Sequence, residues 1–146
     1  CEMTEQVTSL LPKERPRYLM GVGRPEQLAD YIARGIDMMD CVLPTRAARH
    51  ACLYTSEGRV LIKNARYIED QRPVDANCSC SVCRRYSRAY LRHLFAAGEI
   101  TAAILATHHN VHFYLDTMRQ IREAITFGHL EKFASELCAR YNEGPA

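Results

Sequence analysis

The first third of the chain contains two apolar runs separated by a short amphipathic segment. Residues 18–22 and 36–43 are apolar at nearly every position, which is typical of strands covered on both faces. Between them, apolar residues recur at helical spacing after Pro25, and Gly35 supplies a stop. This order predicts a βαβ unit whose strands lie parallel, with a right-handed crossover. Two strands cannot close a sheet, so we expect their partners to come from sequence outside this chain.

The pattern changes after residue 50. Leu53 and Tyr54, a turn at residues 56–58 and an apolar run at residues 60–62 predict an antiparallel hairpin. Residues 69–77 are polar and include a proline, which predicts a loop. Amphipathic stripes then predict four helices whose apolar residues pack into the core. They cover residues 86–95, 100–106, 111–125 and 133–141.

The composition is that of a globular protein. The chain has 146 residues, of which 47% are hydrophobic and 25% charged, with 7 Gly and 6 Pro, and these values argue against disorder. No apolar run approaches the roughly 20 residues of a membrane helix, and the charged start lacks the features of a signal peptide. We therefore expect a soluble protein inside the cell, with no membrane partner. The first residue is not Met, which favours a piece of a longer chain.

Arginine dominates the basic residues, with 16 Arg against 3 Lys. Arginine forms planar, two-pronged contacts with phosphate and carboxylate groups, although codon bias in a GC-rich genome also explains such an excess. One group follows the cysteine-rich segment and predicts a basic stripe on a helix that faces phosphates. Its members are Arg84, Arg85, Arg88 and Arg92.

Cysteine spacing indicates a metal site. Three of the seven cysteines, Cys78, Cys80 and Cys83, form a C-x-C-x-x-C motif, and the others are scattered, which argues against a disulfide framework. A histidine from the later segment that contains His108, His109 and His112 would complete a closed, structural Cys₃His zinc site. Spacing does not choose among the three histidines. The alternative is three reduced cysteines in a polar turn.

Asp40 interrupts the second predicted strand, where an unpaired carboxylate would be costly to bury. Parallel α/β folds place their chemistry at the carboxyl ends of strands, where Asp40 lies. The alternative is an aspartate satisfied by loop amides, and Asp37, at the other end of the strand, is assigned such a structural role. A predicted loop with Arg46 and Arg49 follows, and two cations beside an acid suit a phosphorylated or polynucleotide substrate.

Three motifs together resemble the queuine tRNA-ribosyltransferases, also called tRNA-guanine transglycosylases. The motifs are residues 17–23 (RYLMGVG), residues 35–46 (GIDMMDCVLPTR) and the three cysteines with His109-Asn110. Family members are much longer than this chain. The resemblance implies an α/β fold class: the C-terminal part of a TIM (β/α)₈ barrel, with its last two strands, an inserted zinc-binding subdomain and closing α-helices.

The resemblance also implies three segments. Residues 1–50 would be the last βαβ unit of the barrel, with the nucleophile and an RNA-recognition loop. Residues 51–110 would be the hairpin and the zinc-binding insertion, and residues 111–146 the C-terminal helices. A homodimer that uses the zinc region would follow from the same likeness.

The implied activity is base exchange in queuosine biosynthesis, in the cytoplasm. Asp40 would attack the ribose C1′ of the wobble-position guanosine of tRNA, expel guanine, and hold the tRNA covalently until a 7-deazaguanine base enters. That base would be queuine or its 7-aminomethyl-7-deazaguanine precursor. One structural Zn²⁺ would be held by Cys78, Cys80, Cys83 and His109. RNA contacts would come from Gly21, Val22, Gly23, Arg24, Pro25, Glu26, Gln27, Thr45, Arg46, Ala47, Ala48 and Arg49. The base pocket would include Tyr18, Met20 and Gly21.

This chain departs from the family pattern in two ways. The family usually has Gly where Ala51 stands, so we expect the loop after Arg49 to differ in path, because Ala tolerates positive φ poorly. The general acid/base and the base-recognition residues do not map onto this chain, so we expect it to be inactive without an N-terminal barrel region. The alternative function is a non-catalytic, zinc-stabilised tRNA-binding or partner subunit. Retention of Asp40 favours the enzyme.

Overall fold

A computed structural model describes residues 2–142, which form a mixed helical and stranded fold. The elements of the first half are α1 (Glu2–Leu10), β1 (Tyr18–Leu19), α2 (Pro25–Ala33), β2 (Met38–Met39), α3 (Leu43–Arg49), β3 (Cys52–Thr55) and β4 (Gly58–Leu61). A short 3₁₀ helix (Ala65–Tyr67) follows, and then α4 (Ser81–Arg85), α5 (Arg88–Ala96), α6 (Ile100–Thr126) and α7 (Leu130–Asn142). Over the described range, no helix combines the length and the apolar character that crossing a membrane requires.

The described residues divide into two compact units. The first contains residues 2–43 and 117–142, and the second contains residues 44–116. The division into segments 1–50, 51–110 and 111–146 stays a prediction.

In the first unit, β1 and β2 pair in parallel, with Tyr18 opposite Met38 and Leu19 opposite Met39. The predicted parallel βαβ unit is therefore confirmed, with α2 as its helix and packed against α7. The strands are shorter than the apolar runs. Tyr18, Met20 and Met38 are 51%, 74% and 54% exposed, so the described residues do not cover both faces of this pair.

The second unit is built on the predicted hairpin. β3 and β4 pair antiparallel, from Cys52 opposite Leu61 to Thr55 opposite Gly58. Its core joins the hairpin, the loop before α4 and the helices α4 to α6. The largest fully buried apolar side chains of this core are Leu53, Ile62, Val74, Val82 and Leu91. Residues 69–77 lack helix and strand, as predicted, yet Val74 and Asp75 of this loop are buried.

Two predicted boundaries are wrong. The helices predicted at residues 100–106 and 111–125 are one continuous helix, α6. The polar residues between the two apolar stripes are not a break, because His109 and Asn110 are fully buried. Residues 45–49, predicted as a loop, lie in α3, because the proline at residue 44 falls in the first helical turn, where a missing N–H costs nothing.

Candidate metal centre and strand-end carboxylate

One cysteine and histidine cluster in the second unit has the geometry of a metal site. The Sγ atoms of Cys78, Cys80 and Cys83 lie 3.8, 3.5 and 3.3 Å from Nδ1 of His109. All four ligand atoms are within 4.8 Å of one another. Tetrahedral zinc with ordinary bond lengths separates sulfur and nitrogen ligands by about 3.6 Å. The cluster therefore fits a single four-coordinate metal ion, with no position left for a reacting water.

The cluster takes its ligands from three places in the sequence. Cys78 lies in the loop before α4, Cys80 is the N-cap residue of α4, and Cys83 lies in α4. The Cys83 N–H donates to Cys80 Sγ at 3.3 Å, so the first turn of α4 fixes the spacing of these two sulfurs. His109 enters from the middle of α6. The short motif thus folds around the start of a helix, and one distant residue completes the set.

Only one of the three candidate histidines reaches the described cluster. His109 is fully buried, and its Nε2 lies 2.8 Å from the carbonyl oxygen of Tyr54. A carbonyl oxygen only accepts, so Nε2 carries a hydrogen, and Nδ1 is the nitrogen that faces the sulfurs and is free to bind a metal ion once it is deprotonated. His108 is exposed, and Nε2 of His112 lies 3.5 Å from Oγ of Ser79 instead.

Hydrogen bonds within the cluster shift the pKa values of two of its thiols. Hydrogen bonding with Cys78, and then with Cys83, lowers the pKa of Cys80. Hydrogen bonding with Cys78, and then with Cys80, raises the pKa of Cys83. Thiolate is the form that binds a metal ion, so metal binding here must release protons and weaken as the pH falls.

Asp40 follows β2 directly and is exposed. Its Oδ1 accepts a hydrogen bond from the Tyr18 hydroxyl at 2.6 Å and another from the Gly21 N–H at 3.0 Å. These bonds, the tyrosine bond above all, hold the pKa of Asp40 below its ordinary value. The carboxylate is thus ionised, supported by a loop amide and accessible. Asp40 lies in the second apolar run, which was expected to be covered on both faces, but the described residues leave it exposed.

The family assignment rests on comparison with known proteins. A family model described as Queuine tRNA-ribosyltransferase matches residues 1–143. The chain belongs to the queuine tRNA-ribosyltransferase family. The relative from Koribacter versatilis (strain Ellin345) is 61% identical over 128 residues, which cover 88% of this chain and 33% of the relative. The relative from Solibacter usitatus (strain Ellin6076) is 59% identical over 127 residues, covering 87% of this chain and 34% of the relative.

A more distant relative extends the match along the chain. The queuine tRNA-ribosyltransferase of Helicobacter pylori (strain ATCC 700392 / 26695) is 51% identical over 144 residues, covering 97% of this chain and 39% of the relative. The chain therefore spans between a third and two fifths of the length of these curated relatives, and it matches a C-terminal portion of them.

The segment that resembles an RNA-contacting part of the family begins as a turn and becomes a helix. Residues 21–24 form the turn, and α2 begins at Pro25. Gly23 is buried, and a Cβ at this position would meet Cys41 Sγ at 3.2 Å and Leu28 Cδ2 at 3.3 Å, so the turn lies tightly against its own unit. The second segment predicted to contact RNA, residues 45–49, lies in α3, where Arg46 and Arg49 are exposed.

The predicted basic stripe is incomplete. Arg84 and Arg85 are exposed, but Arg88 is 9% exposed and its guanidinium donates to the Val74 carbonyl at 2.8 and 3.2 Å. Arg88 also pairs at 3.4 Å with Asp70. Hydrogen bonding from Arg72 is the main reason that the pKa of Asp70 falls to about 2. Arg88 therefore holds the loop before α4 in place and does not face solvent.

Ala51 adopts the left-handed conformation in spite of its side chain. Its φ is 60°, a region that costs a non-glycine residue roughly 1–2 kcal/mol. Two backbone hydrogen bonds hold it there: its N–H donates to Ala48 at 2.9 Å, and its carbonyl accepts from Ile62 at 3.0 Å. The turn from α3 into the hairpin therefore places an alanine in the left-handed conformation.

Asn110 is a buried residue to which the sequence assigned no role beyond its place in the His109-Asn110 motif. Its Oδ1 accepts from the Tyr54 N–H, and its Nδ2 donates to the carbonyls of Pro44 and Cys52, each at 3.0 Å. The side chain is fully buried. Asn110 therefore joins α6 to the start of α3 and to the hairpin, next to the ligand His109. A polar residue inside an amphipathic helix, beside a candidate ligand, was the available signal.

We expect Asn110→Asp to destabilise the chain by about 3 kcal/mol or more, because a buried carboxylate would face two carbonyl oxygens with no hydrogen to donate. Urea unfolding at neutral pH measures the loss. Asn64→Asp is the matched control in the same unit, since Asn64 is exposed, and it should change the free energy of unfolding by no more than about 0.5 kcal/mol. Equal losses in the two variants would contradict the role given to Asn110.

Proposed function

We propose that this chain is the C-terminal portion of a tRNA-guanine transglycosylase, a glycosyltransferase that exchanges guanine at the wobble position for a 7-deazaguanine base in queuosine biosynthesis. The observation that carries the proposal is Asp40: an ionised, accessible carboxylate at the end of a parallel strand, held by Tyr18 and Gly21. The membership of the chain in the queuine tRNA-ribosyltransferase family suggests tRNA as the substrate class. The reaction would take place in the cytoplasm, where tRNA is modified.

The chemistry is retaining glycosyl transfer in two displacements. A lone pair of the Asp40 carboxylate attacks the ribose C1′ as the bond from C1′ to guanine N9 breaks. The electron pair of that bond leaves with guanine, which takes up a proton. In the second step N9 of the incoming base loses its proton and attacks C1′, and the carboxylate leaves. Queuine and its 7-aminomethyl precursor both fit this chemistry.

The other predicted site residues would bind the base, the tRNA and the metal ion. Tyr18, Met20 and Gly21 would line the base pocket around Asp40. Residues 21–27 and the helix α3, with exposed Arg46 and Arg49, would contact the anticodon loop, since guanidinium groups bind phosphates well. One structural Zn²⁺ would be held by Cys78, Cys80, Cys83 and His109, because the residue types and spacing of this cluster match those of a tetrahedral zinc site.

The complete enzyme would contain more than this chain. β1 and β2 would be the last two strands of a TIM barrel, and their exposed apolar residues would be covered by the upstream strands. The general acid/base and the residues that read the deazaguanine would come from that upstream region, so this chain alone would be inactive. A homodimer would form through the zinc region.

A non-catalytic partner subunit is the second candidate, because the zinc cluster and the exposed arginines suit RNA binding without catalysis. The state of Asp40 favours the enzyme. A purely structural aspartate needs no accessible oxygen, whereas a nucleophile must be both ionised and reachable.

A fusion protein separates the two candidates. In it, this chain replaces the matching C-terminal portion of the Koribacter versatilis relative, which supplies the upstream region. The fusion is mixed with tRNA, quenched with denaturant and run on a denaturing gel. A protein–RNA adduct and exchange of labelled guanine into tRNA support the proposal. A folded fusion that binds tRNA but gives neither result supports the partner subunit.

A further inference from the structure

The two hydrogen bonds to Asp40 meet at the same atom. The Tyr18 hydroxyl and the Gly21 N–H both donate to Oδ1, at 2.6 and 3.0 Å. A carboxylate has two equivalent oxygens until its surroundings distinguish them. Here the surroundings do so, because one oxygen carries both donors.

The backbone explains why these donors converge. Tyr18 lies opposite Met38 in the parallel pair, and Asp40 is two residues beyond Met38 on the same face, within reach of a long side chain. Gly21 has a φ of 68°, the left-handed region, and a Cβ there would meet no atom within 4 Å. The glycine is therefore needed for its backbone conformation and not for space, and that conformation places its N–H at Oδ1.

We propose that Tyr18 is a positioning residue for Asp40: with the Gly21 N–H it occupies Oδ1, so that Oδ2 is the oxygen that bonds to the ribose C1′. This inference rests on the proposed function and adds a role for Tyr18 beyond lining the base pocket. Oδ1 then becomes the carbonyl oxygen of the glycosyl ester.

The same bond affects the two displacements in opposite directions. A hydrogen bond to the carboxylate stabilises its charge, which makes it a weaker nucleophile and a better leaving group. Formation of the adduct does not gain from the Tyr18 hydroxyl once Asp40 is ionised. Breakdown of the adduct does gain, because the electron pair of the bond between Oδ2 and C1′ returns to the carboxylate as the next base attacks C1′.

The pKa of Asp40 reports on the hydrogen bond from Tyr18 separately from the enzyme activity. Tyr18 is the main cause of the lowered pKa of Asp40, and its own pKa is raised by the same bond. The Cys41 thiol donates to the Gly23 carbonyl, and Asp37 Oδ2 accepts the Arg17 N–H at 2.8 Å. Removing the Tyr18 hydroxyl should therefore raise the pKa of Asp40 toward its ordinary value.

The first test uses this chain with ¹³C-labelled aspartate. An NMR titration of the Asp40 carboxyl carbon should give a higher pKa in Tyr18→Phe than in the unsubstituted chain. Tyr31→Phe, a tyrosine in α2 of the same unit, is the control and should leave the Asp40 titration unchanged. An Asp40 pKa that does not move in Tyr18→Phe overturns the inference, whatever happens to the enzyme activity.

The second test uses the fusion protein and tRNA. In Tyr18→Phe we expect guanine exchange to slow by roughly fivefold to tenfold, the size expected for a lost hydrogen bond to an exposed charged group. The fraction of tRNA trapped as adduct should rise, and the acid limb of the pH profile should move to higher pH. A merely structural role for Tyr18 predicts less adduct and an unmoved limb, and either result overturns the inference. Absence of adduct in the unsubstituted fusion overturns the proposed function instead. The NMR titration then still tests whether the Tyr18 hydroxyl bonds to Asp40.

Discussion

Asp40→Asn in the fusion protein should abolish the tRNA adduct and lower guanine exchange by roughly 10⁴-fold or more, as the loss of a catalytic group does in other enzymes. The amide oxygen should take the place of Oδ1, because the donors on Tyr18 and Gly21 need an acceptor. The amide nitrogen then stands where Oδ2 stood, and it has no lone pair free to attack C1′. A denaturing gel and exchange of labelled guanine measure the two losses.

Folding should not be affected, because Asp40 is exposed and asparagine is nearly the same size. Asp37→Asn is the matched control: Asp37 lies before the same strand, is also exposed, and accepts one backbone N–H from Arg17. It should retain adduct formation and exchange. Adduct in Asp40→Asn at the level of Asp37→Asn would remove Asp40 from the reaction.

The parts of the fold that could be predicted are those whose signals are local. The parallel pair follows from two apolar runs around a short amphipathic segment, and the hairpin follows from a Gly58 turn between apolar residues. The hairpin signals lie within a few positions of each other, and the parallel pair is recognised from three consecutive segments within residues 18–43, so contacts with the rest of the chain are not needed to recognise either.

The errors come from distant contacts. A polar stretch in α6 looks like a break between helices, but His109 and Asn110 find their partners 55 and 56 residues away, at Tyr54. Arg88 fits a basic surface stripe until Val74 and Asp70 are placed against it. Buried polar groups follow the hydrogen bonds that the folded chain offers, and these depend on tertiary packing.

The two candidate sites differ in how far sequence could describe them. Three cysteines within six residues already indicate a metal cluster; their spacing leaves the histidine open, but the family resemblance named His109, and His109 is the histidine that lies beside the sulfurs. The hydrogen-bond partners of Asp40 were harder to predict from the sequence. Tyr18 is 22 residues away, and its hydroxyl reaches the carboxylate only because of the register of the strand pair.

Cys80→Ser should lose the metal ion and unfold the second unit. Structural zinc supplies roughly 10–16 kcal/mol of apparent binding free energy in small domains, and a domain is typically stable by only about 5–15 kcal/mol. Cys80 is 3% exposed and lies in the core of this unit beside Val82, so its replacement removes a ligand and also leaves a hydroxyl among sulfur atoms and apolar groups. We expect one zinc per chain before the substitution and less than a tenth of that after it, measured by elemental analysis, with loss of helical circular dichroism.

Cys52→Ser is the matched control for a lost thiol. Cys52 lies on β3 in the same unit and outside the cluster, and burial raises the pKa of its thiol, which keeps it neutral. This variant should keep one zinc and lose no more than about 2 kcal/mol of stability. A chelator should unfold the unsubstituted chain and Cys52→Ser alike, because both depend on the same ion, and it should have little further effect on Cys80→Ser. If Cys80→Ser kept one zinc per chain, the cluster of three cysteines and His109 would not be the metal site, since three remaining ligands hold zinc far less tightly than four thiolate and imidazole groups.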